Sequence, residues 1–211
     1  MSVHDTQPGQ DATAVFTVAQ ASVITGVRQK DINQYIDRDL AGLDITTAGQ
    51  GARSIRPEGL LALRLAHEFA DTLTLASRVQ LIRLALASPK VKSIELDGKV
   101  TATIATARQA VAAGLKRYNA SLAQVRSDPK ILSGEPCLKG TRISVYTIAG
   151  LFGASGRDEV MLAYDITDVQ LAAASVFAEA NPSRGRPKSV EAQLKAIGFR
   201  LRSTKTIRIV E

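Results

Sequence analysis

The sequence holds one cysteine, Cys137, in 211 residues. An internal disulfide is therefore excluded, and a reducing, cytoplasmic setting is expected. Histidine is almost as scarce: His4 and His67 cannot build a zinc constellation with one cysteine. No carboxylate cluster has acid–base or metal-ligand spacing. Asp158 and Glu159 open a helix, where the macrodipole favours them without any function. No apolar run approaches the roughly 18 residues of a membrane span, so no membrane contact is expected. Residues 1–14 lack the basic start and apolar core of a signal peptide and read as a disordered lead. The tract Ile131–Val145, ILSGEPCLKGTRISV, does not match phosphate-loop spacing, because its Lys139 precedes Gly140. Cys137 has no histidine near it in sequence and alternates with Pro136 and Leu138, so it reads as a small half-buried hydrophobe. No catalytic residue, metal or cofactor is expected, and the chain does not read as an enzyme.

What is present is enough apolar material for a core, 45% of residues, in a chain long enough for one large or two small domains. The formal net charge of +7 is unevenly spread. Residues 1–124 carry 14 basic and 11 acidic side chains, residues 125–180 carry 5 and 7, and residues 181–211 carry 8 and 2. Nearly all the surplus lies in the last 31 residues. Such a tail serves a polyanion or an acidic partner surface, or is simply a solvated, disordered end.

Thr17 with Gln20 is a capping-box pattern that starts a helix running to about Ile24. Gly26 supplies the left-handed exit. A second helix follows, with Ile32, Ile36 and Leu40 on its buried stripe. Two short helices joined by a glycine turn make a helix-turn-helix candidate. Opposite the stripe stand Gln29, Lys30, Asn33, Gln34 and Asp37, with Arg28 at the helix start. Asn and Gln can pair bidentately with adenine and Arg with guanine. Gly49 and Gly51 punctuate a predicted hairpin, or wing, whose Arg53 and Arg56 suit backbone phosphates. Residues 28–40 carry three basic and three acidic side chains, so the local field is weak.

Pro57 opens a third helix. A fourth spans roughly Thr74–Ala87, with Leu75, Val79, Ile82 and Leu86 as its stripe. Asp97-Gly98 signals a type I′ turn in a second hairpin. A long helix with Ala107, Val111, Leu115, Tyr118 and Leu122 on one face follows. Beyond the 131–145 tract come three more helices. The last runs from Thr167 to Ala180, with Val169, Ala173, Val176 and Phe177 as its stripe, and contains no basic residue. The tail segment SRGRPKS, with Arg184, Arg186 and Lys188, resembles an AT-hook core, which lies in narrow A·T-rich minor grooves; the plain reading is a basic linker.

Residues 126–180 resemble domain-of-unknown-function family 433. The likeness rests on Pro129, Gly134, Pro136, Lys139, Gly140, Thr141, Arg142, Ile143 and Val145, then on Tyr164 and Thr167. Ser133 replaces a frequent glycine of that family, and Ser144 a frequent proline. The residues TVAQASVITGVRQKDINQYI resemble the first two helices of a MerR-type winged helix. The resemblance implies a VapB-like antitoxin that neutralises a PIN-type ribonuclease toxin and represses its own operon by binding operator double-stranded DNA as a homodimer. A stand-alone MerR-like dimeric transcription regulator is the alternative.

The fold class expected is mainly α with short β-hairpins: a winged helix-turn-helix domain over 15–124, a three-helix homeodomain-like domain over 125–181, and a basic toxin-binding tail over 182–211. In the tail, Arg184, Arg186, Lys188, Phe199, Arg200 and Arg202 would meet the toxin. Within the second domain the resemblance makes Gly134, Pro136, Lys139, Gly140, Thr141 and Arg142 a structural tract, its extended run pairing strands within the chain or across a dimer. Arg142 could bridge a carboxylate or a phosphate.

Overall fold

The computed structural model of the chain describes residues 15–48, 53–98 and 100–183. The expected lead 1–14, the wing glycines Gly49 and Gly51, and the tail residues Arg184, Arg186, Lys188, Phe199, Arg200 and Arg202 lie outside the described residues. What is described is mainly helical, with eight α-helices and three small antiparallel sheets. It divides into two compact units. The first runs to Ala123 and takes in Glu179–Asn181; the second is Gln124–Ala178 with Pro182 and Ser183.

In the first unit, strand β1 (Phe16–Thr17) leads into helix α1 (Val18–Thr25). The capping box forms as the sequence predicts. Thr17 Oγ1 accepts from the Gln20 N–H at 3.2 Å, and the Thr17 N–H donates to Gln20 Oε1 at 2.9 Å. Gly26 ends α1 at φ 71°, its N–H donating to the Ser22 carbonyl at 2.8 Å. Helix ends leave carbonyls without partners. Here two arginines from elsewhere in the unit reach them: Arg117 Nη2 donates to Val23 O at 2.8 Å and Arg64 Nη1 to Thr25 O at 3.3 Å. Helix α2 (Gln29–Arg38) buries Ile32, Tyr35 and Ile36. Leu40, just beyond it, is buried too.

Strands β2 (Thr46–Ala48) and β3 (Arg53–Ile55) form the predicted hairpin, and β1 adds a third strand, giving the order β1-β3-β2. Phe16 and Thr46 both pair with Ile55, whose side chain is fully buried. This pairing of the residues before α1 with the hairpin fixes where the helix pair begins.

Helix α3 (Pro57–Glu68) has its proline in the first turn. Helix α4 (Leu75–Ala87) buries only part of the stripe expected of it: Ile82 is fully buried, and Val79 and Leu86 are half-buried. Its buried residues are Arg78, Leu81, Ile82 and Ala85, while Leu75 is 43% exposed. An arginine occupies the inner face because its charge is met there by Asp39. Strands β4 (Ser93–Leu96) and β5 (Val100–Thr103) pair with Leu96 opposite Val100, and Asp97 and Gly98 in the connection both take positive φ (51° and 64°). Helix α5 (Ala105–Ala123) packs against α1 and α3, burying Ala107, Val111, Gly114 and Tyr118. Its Arg108 donates to the carbonyls of Ala85, Ser88 and Val91 at 2.8–2.9 Å, closing the C-terminal end of α4.

In the second unit, β6 (Val125–Arg126) pairs with β7 (Cys137–Leu138), and helices α6 (Val145–Ser155), α7 (Arg157–Tyr164) and α8 (Asp168–Ala180) follow. Leu138, Val145, Ile148, Leu151, Val160, Ile166, Leu171 and Ala174 form one core. α7 and α8 meet at 110° through a turn in which Asp165 takes φ 50°. The core face of α8 is Leu171 and Ala174. Of the stripe expected of α8, Val169 is 63% exposed, whereas Ala173 is buried and Phe177 packs against the core. Among the described residues no single helix is long and apolar enough to cross a membrane.

Candidate nucleic-acid interface

The outward face of α2 holds Gln29, Lys30, Asn33, Gln34 and Asp37, all exposed, directly behind the buried Ile32 and Ile36. Arg28, extended at φ −62° and ψ 141°, precedes the helix without capping it by its side chain. It bonds instead to Asp31, Nε to Oδ2 at 2.7 Å, and that bond raises the guanidinium's proton affinity above its ordinary value. Asn33 Nδ2 donates to the Gln29 carbonyl at 3.1 Å, one turn back along its own helix.

The hairpin brings its arginine to the same face. Arg53 Nη2 meets Asp37 Oδ1 at 2.5 Å, and Nη1 lies 3.5 Å from both Asn33 O and Asn33 Oδ1. Arg56 pairs with Asp44. Three of the four cations of this face thus stand against carboxylates, and Lys30 alone has no ion-pair partner among the described residues. This pairing went unseen in the sequence, since Asp37 and Asp44 lie 16 and 12 residues from their arginines. The Arg53 and Arg56 pairs are exposed on both sides, so exchanging their carboxylates for phosphate oxygens has a small net cost.

The tract of the second unit is a hairpin in its own right. Leu138 N–H donates to Ile143 O and Val145 N–H to Pro136 O, each at 3.0 Å. Between them Leu138-Lys139-Gly140-Thr141 makes a tight turn closed by Thr141 N–H to Leu138 O at 3.0 Å, with Gly140 at φ 79° where a side chain would be strained. Thr141 Oγ1 donates to Leu138 O at 2.9 Å and accepts from Ile143 N–H at 3.1 Å. Gly134 also takes a positive φ, 86°. The glycines, Pro136 and Thr141 are therefore structural. The side chains of Lys139 and Arg142 are not: both are exposed and bond to nothing among the described residues.

The two departures from the family pattern have local explanations. Ser133 sits at φ 56°, a left-handed position that suits glycine. Ser144 caps α6, accepting from Tyr146 N–H at 3.2 Å and donating to Glu135 Oε1 at 2.5 Å, at a φ of −63° that proline also adopts.

Cys137 is more buried than its alternation suggested, at 3% exposed, and Leu138 beside it is buried as well. Burial pushes its thiol's pKa up, against the thiolate a nucleophile needs. Leu138, at 1% exposed, pairs with Val125 of the same chain.

Residues 125–178 match the family model described as "Protein of unknown function (DUF433)". Over 186 residues the chain is 30% identical to "Uncharacterized protein y4eO" of Sinorhizobium fredii (strain NBRC 101917 / NGR234), an alignment covering 82% of this chain and 84% of that relative. No solved structure matches the chain. At that identity and coverage the chain belongs to the same family as y4eO, and it carries a DUF433 domain at residues 125–178.

Proposed function

We propose that the first unit is a MerR-like winged helix-turn-helix that reads operator DNA, and that the chain is an autorepressing, VapB-like antitoxin of a PIN-type ribonuclease. The observation that carries the DNA reading is the convergence of Asn33 and Arg53. A polar recognition face on α2 and an arginine from the hairpin lie within hydrogen-bond reach of each other, α2 being held from behind by Ile32, Tyr35 and Ile36. α2 enters the major groove in this reading, with Gln29, Asn33 and Gln34 at base edges and Arg28, Lys30, Arg53 and Arg56 on phosphates. The protein acts as a homodimer in the cytoplasm, because a helix-turn-helix reader needs two half-sites.

Asn33→Ala is expected to weaken binding to the chain's own promoter by about 1–3 kcal/mol and to relax discrimination against altered sites. Arg53→Ala is expected to weaken all duplexes alike and to lower the salt slope by about 1. Fluorescence anisotropy with promoter and scrambled duplexes at several salt concentrations measures both. If neither substitution changes promoter binding, α2 is not the reader.

The toxin half of the reading rests on the basic tail. A PIN-type site is a cluster of carboxylates that holds divalent metal, and arginines such as Arg184, Arg186, Arg200 and Arg202 can occupy it by charge-assisted hydrogen bonds. A chain ending at Asn181 is expected to lose suppression of the ribonuclease encoded beside it. Full suppression by that truncated chain would move the tail's charge to DNA, and absence of any co-purifying ribonuclease would favour the stand-alone regulator.

A further inference from the structure

The turn of the second unit borders an open cleft of about 260 Å³. Its wall includes three cations, Arg126 from β6 and Lys139 and Arg142 from the turn, against one carboxylate, Asp128. Arg126 and Asp128 are only loosely paired, Nη2 to Oδ2 at 3.6 Å. Lys139 and Arg142 have no ion-pair partner among the described residues. The backbone here is also underused. Lys139 N–H is bonded to Gln124 O and Thr141 N–H to Leu138 O, while the Gly140 and Arg142 N–H groups have no acceptor among the described residues. Gly140 has no side chain, and nothing lies within 4 Å of where a Cβ would stand, so a ligand can approach the peptide itself.

We infer that this cleft holds one phosphate of a DNA backbone, making the second unit a further contact to the duplex. The inference rests on the DNA reading above but concerns a different surface. Two flexible cations, a third from the neighbouring strand, and open N–H donors at a bare glycine turn are the groups by which proteins grip phosphate oxygens. A phosphodiester offers two non-bridging oxygens that share one negative charge, enough to engage both turn cations, and needs no deep pocket. The turn is rigid under its ligand, because Thr141 bonds both forward and back and Gly140 is held at its positive φ by the hairpin on either side. None of these groups reads a base edge, so the contact adds affinity without sequence preference.

The test uses the full-length chain with Lys139→Ala and Arg142→Ala combined. Both side chains are exposed and unbonded, so the fold is expected to survive, as circular dichroism and the melting midpoint will show. Promoter and scrambled duplexes are expected to bind more weakly by the same factor, and the slope of log K against log salt to fall by about 0.9, one released phosphate counterion. In NMR of the native chain, the Gly140 and Arg142 amides are expected to shift on adding a short duplex. An unchanged slope overturns the inference. So do amides that move with inorganic phosphate but not with duplex, which makes the site one for a free anion, and amides that move only with the acidic ribonuclease. Asn33→Ala separates the two DNA contacts: it alters discrimination between duplexes, whereas the cleft variant alters only the common affinity. Loss of one effect with the other intact identifies which proposal has failed.

Discussion

Replacing Arg78 by methionine is expected to destabilise the first unit by about 3–5 kcal/mol. Arg78 lies on the inner face of α4 with 5% of its side chain exposed, and its Nη2 meets Asp39 Oδ2 at 2.6 Å, where the aspartate side chain is wholly buried. Nη1 donates to Ala70 O at 2.9 Å, with the Phe69 and Leu73 carbonyls at 3.5 Å, so one guanidinium serves both a buried carboxylate and the loop after α3. Methionine keeps most of the volume and none of the donors. Asp39 then stays buried with only Arg38 Nε, at 2.7 Å, and three carbonyls lose a partner. The cost comes from leaving a buried carboxylate only partly compensated, and carbonyls without donors, in a medium of low polarity. A domain of this size has about 5–15 kcal/mol in all, so the single variant approaches unfolding at room temperature. Asp39→Leu added to Arg78→Met is expected to recover much of the loss, because the pair's own contribution is offset by its desolvation. Urea unfolding followed by circular dichroism measures both variants. A loss below about 1 kcal/mol in the single variant would contradict the buried pair. Asp39 caps α2, whose exposed face is the proposed reader, so the destabilised variant is also expected to bind DNA less well at a temperature where it remains folded.

The second large effect is at Gly114. Gly→Ala inside a helix normally stabilises by up to about 1 kcal/mol. Here the sign is expected to reverse, to a loss of about 1–3 kcal/mol, because a Cβ at Gly114 would stand 1.9 Å from the Ile24 carbonyl oxygen and 2.7 Å from its carbon. The obstacle is backbone, not the end of a flexible side chain, so α1 and α5 have to separate. That displacement also pulls Val23 O away from Arg117 and loosens the end of α1 just before the turn to α2. Gly153 in α6 is the control: it is helical and exposed, and nothing lies within 4 Å of its Cβ position. Gly153→Ala is expected to raise the melting midpoint where Gly114→Ala lowers it. A rise at both sites would mean that the α1–α5 approach is looser than 1.9 Å implies.

The sequence by itself determined those features whose causes lie within about four residues. Thr17 and Gln20 close their own capping box, Gly26 and the Asp97-Gly98 pair take the positive φ that their turns require, and Pro57 starts its helix. The polar face of α2 was equally legible, since Ile32 and Ile36 leave only one side to the solvent. These follow from hydrogen bonds and backbone sterics that a short segment settles alone. Tertiary structure decided the rest. Nothing local marks Arg78 as an inner residue rather than Leu75; Asp39, 39 positions away, selects it. No pattern shows that Arg53 turns to Asn33 and Asp37, or that Gly114 is a point of backbone contact rather than a weak helix residue. In the second unit the sequence marked the KGTR turn, but only the fold sorted Gly140 and Thr141, which hold the turn, from Lys139 and Arg142, which stand free at its edge. The physical reason is the same throughout: a charge or a glycine acquires its role from what is packed against it, and that partner comes from a distant part of the chain.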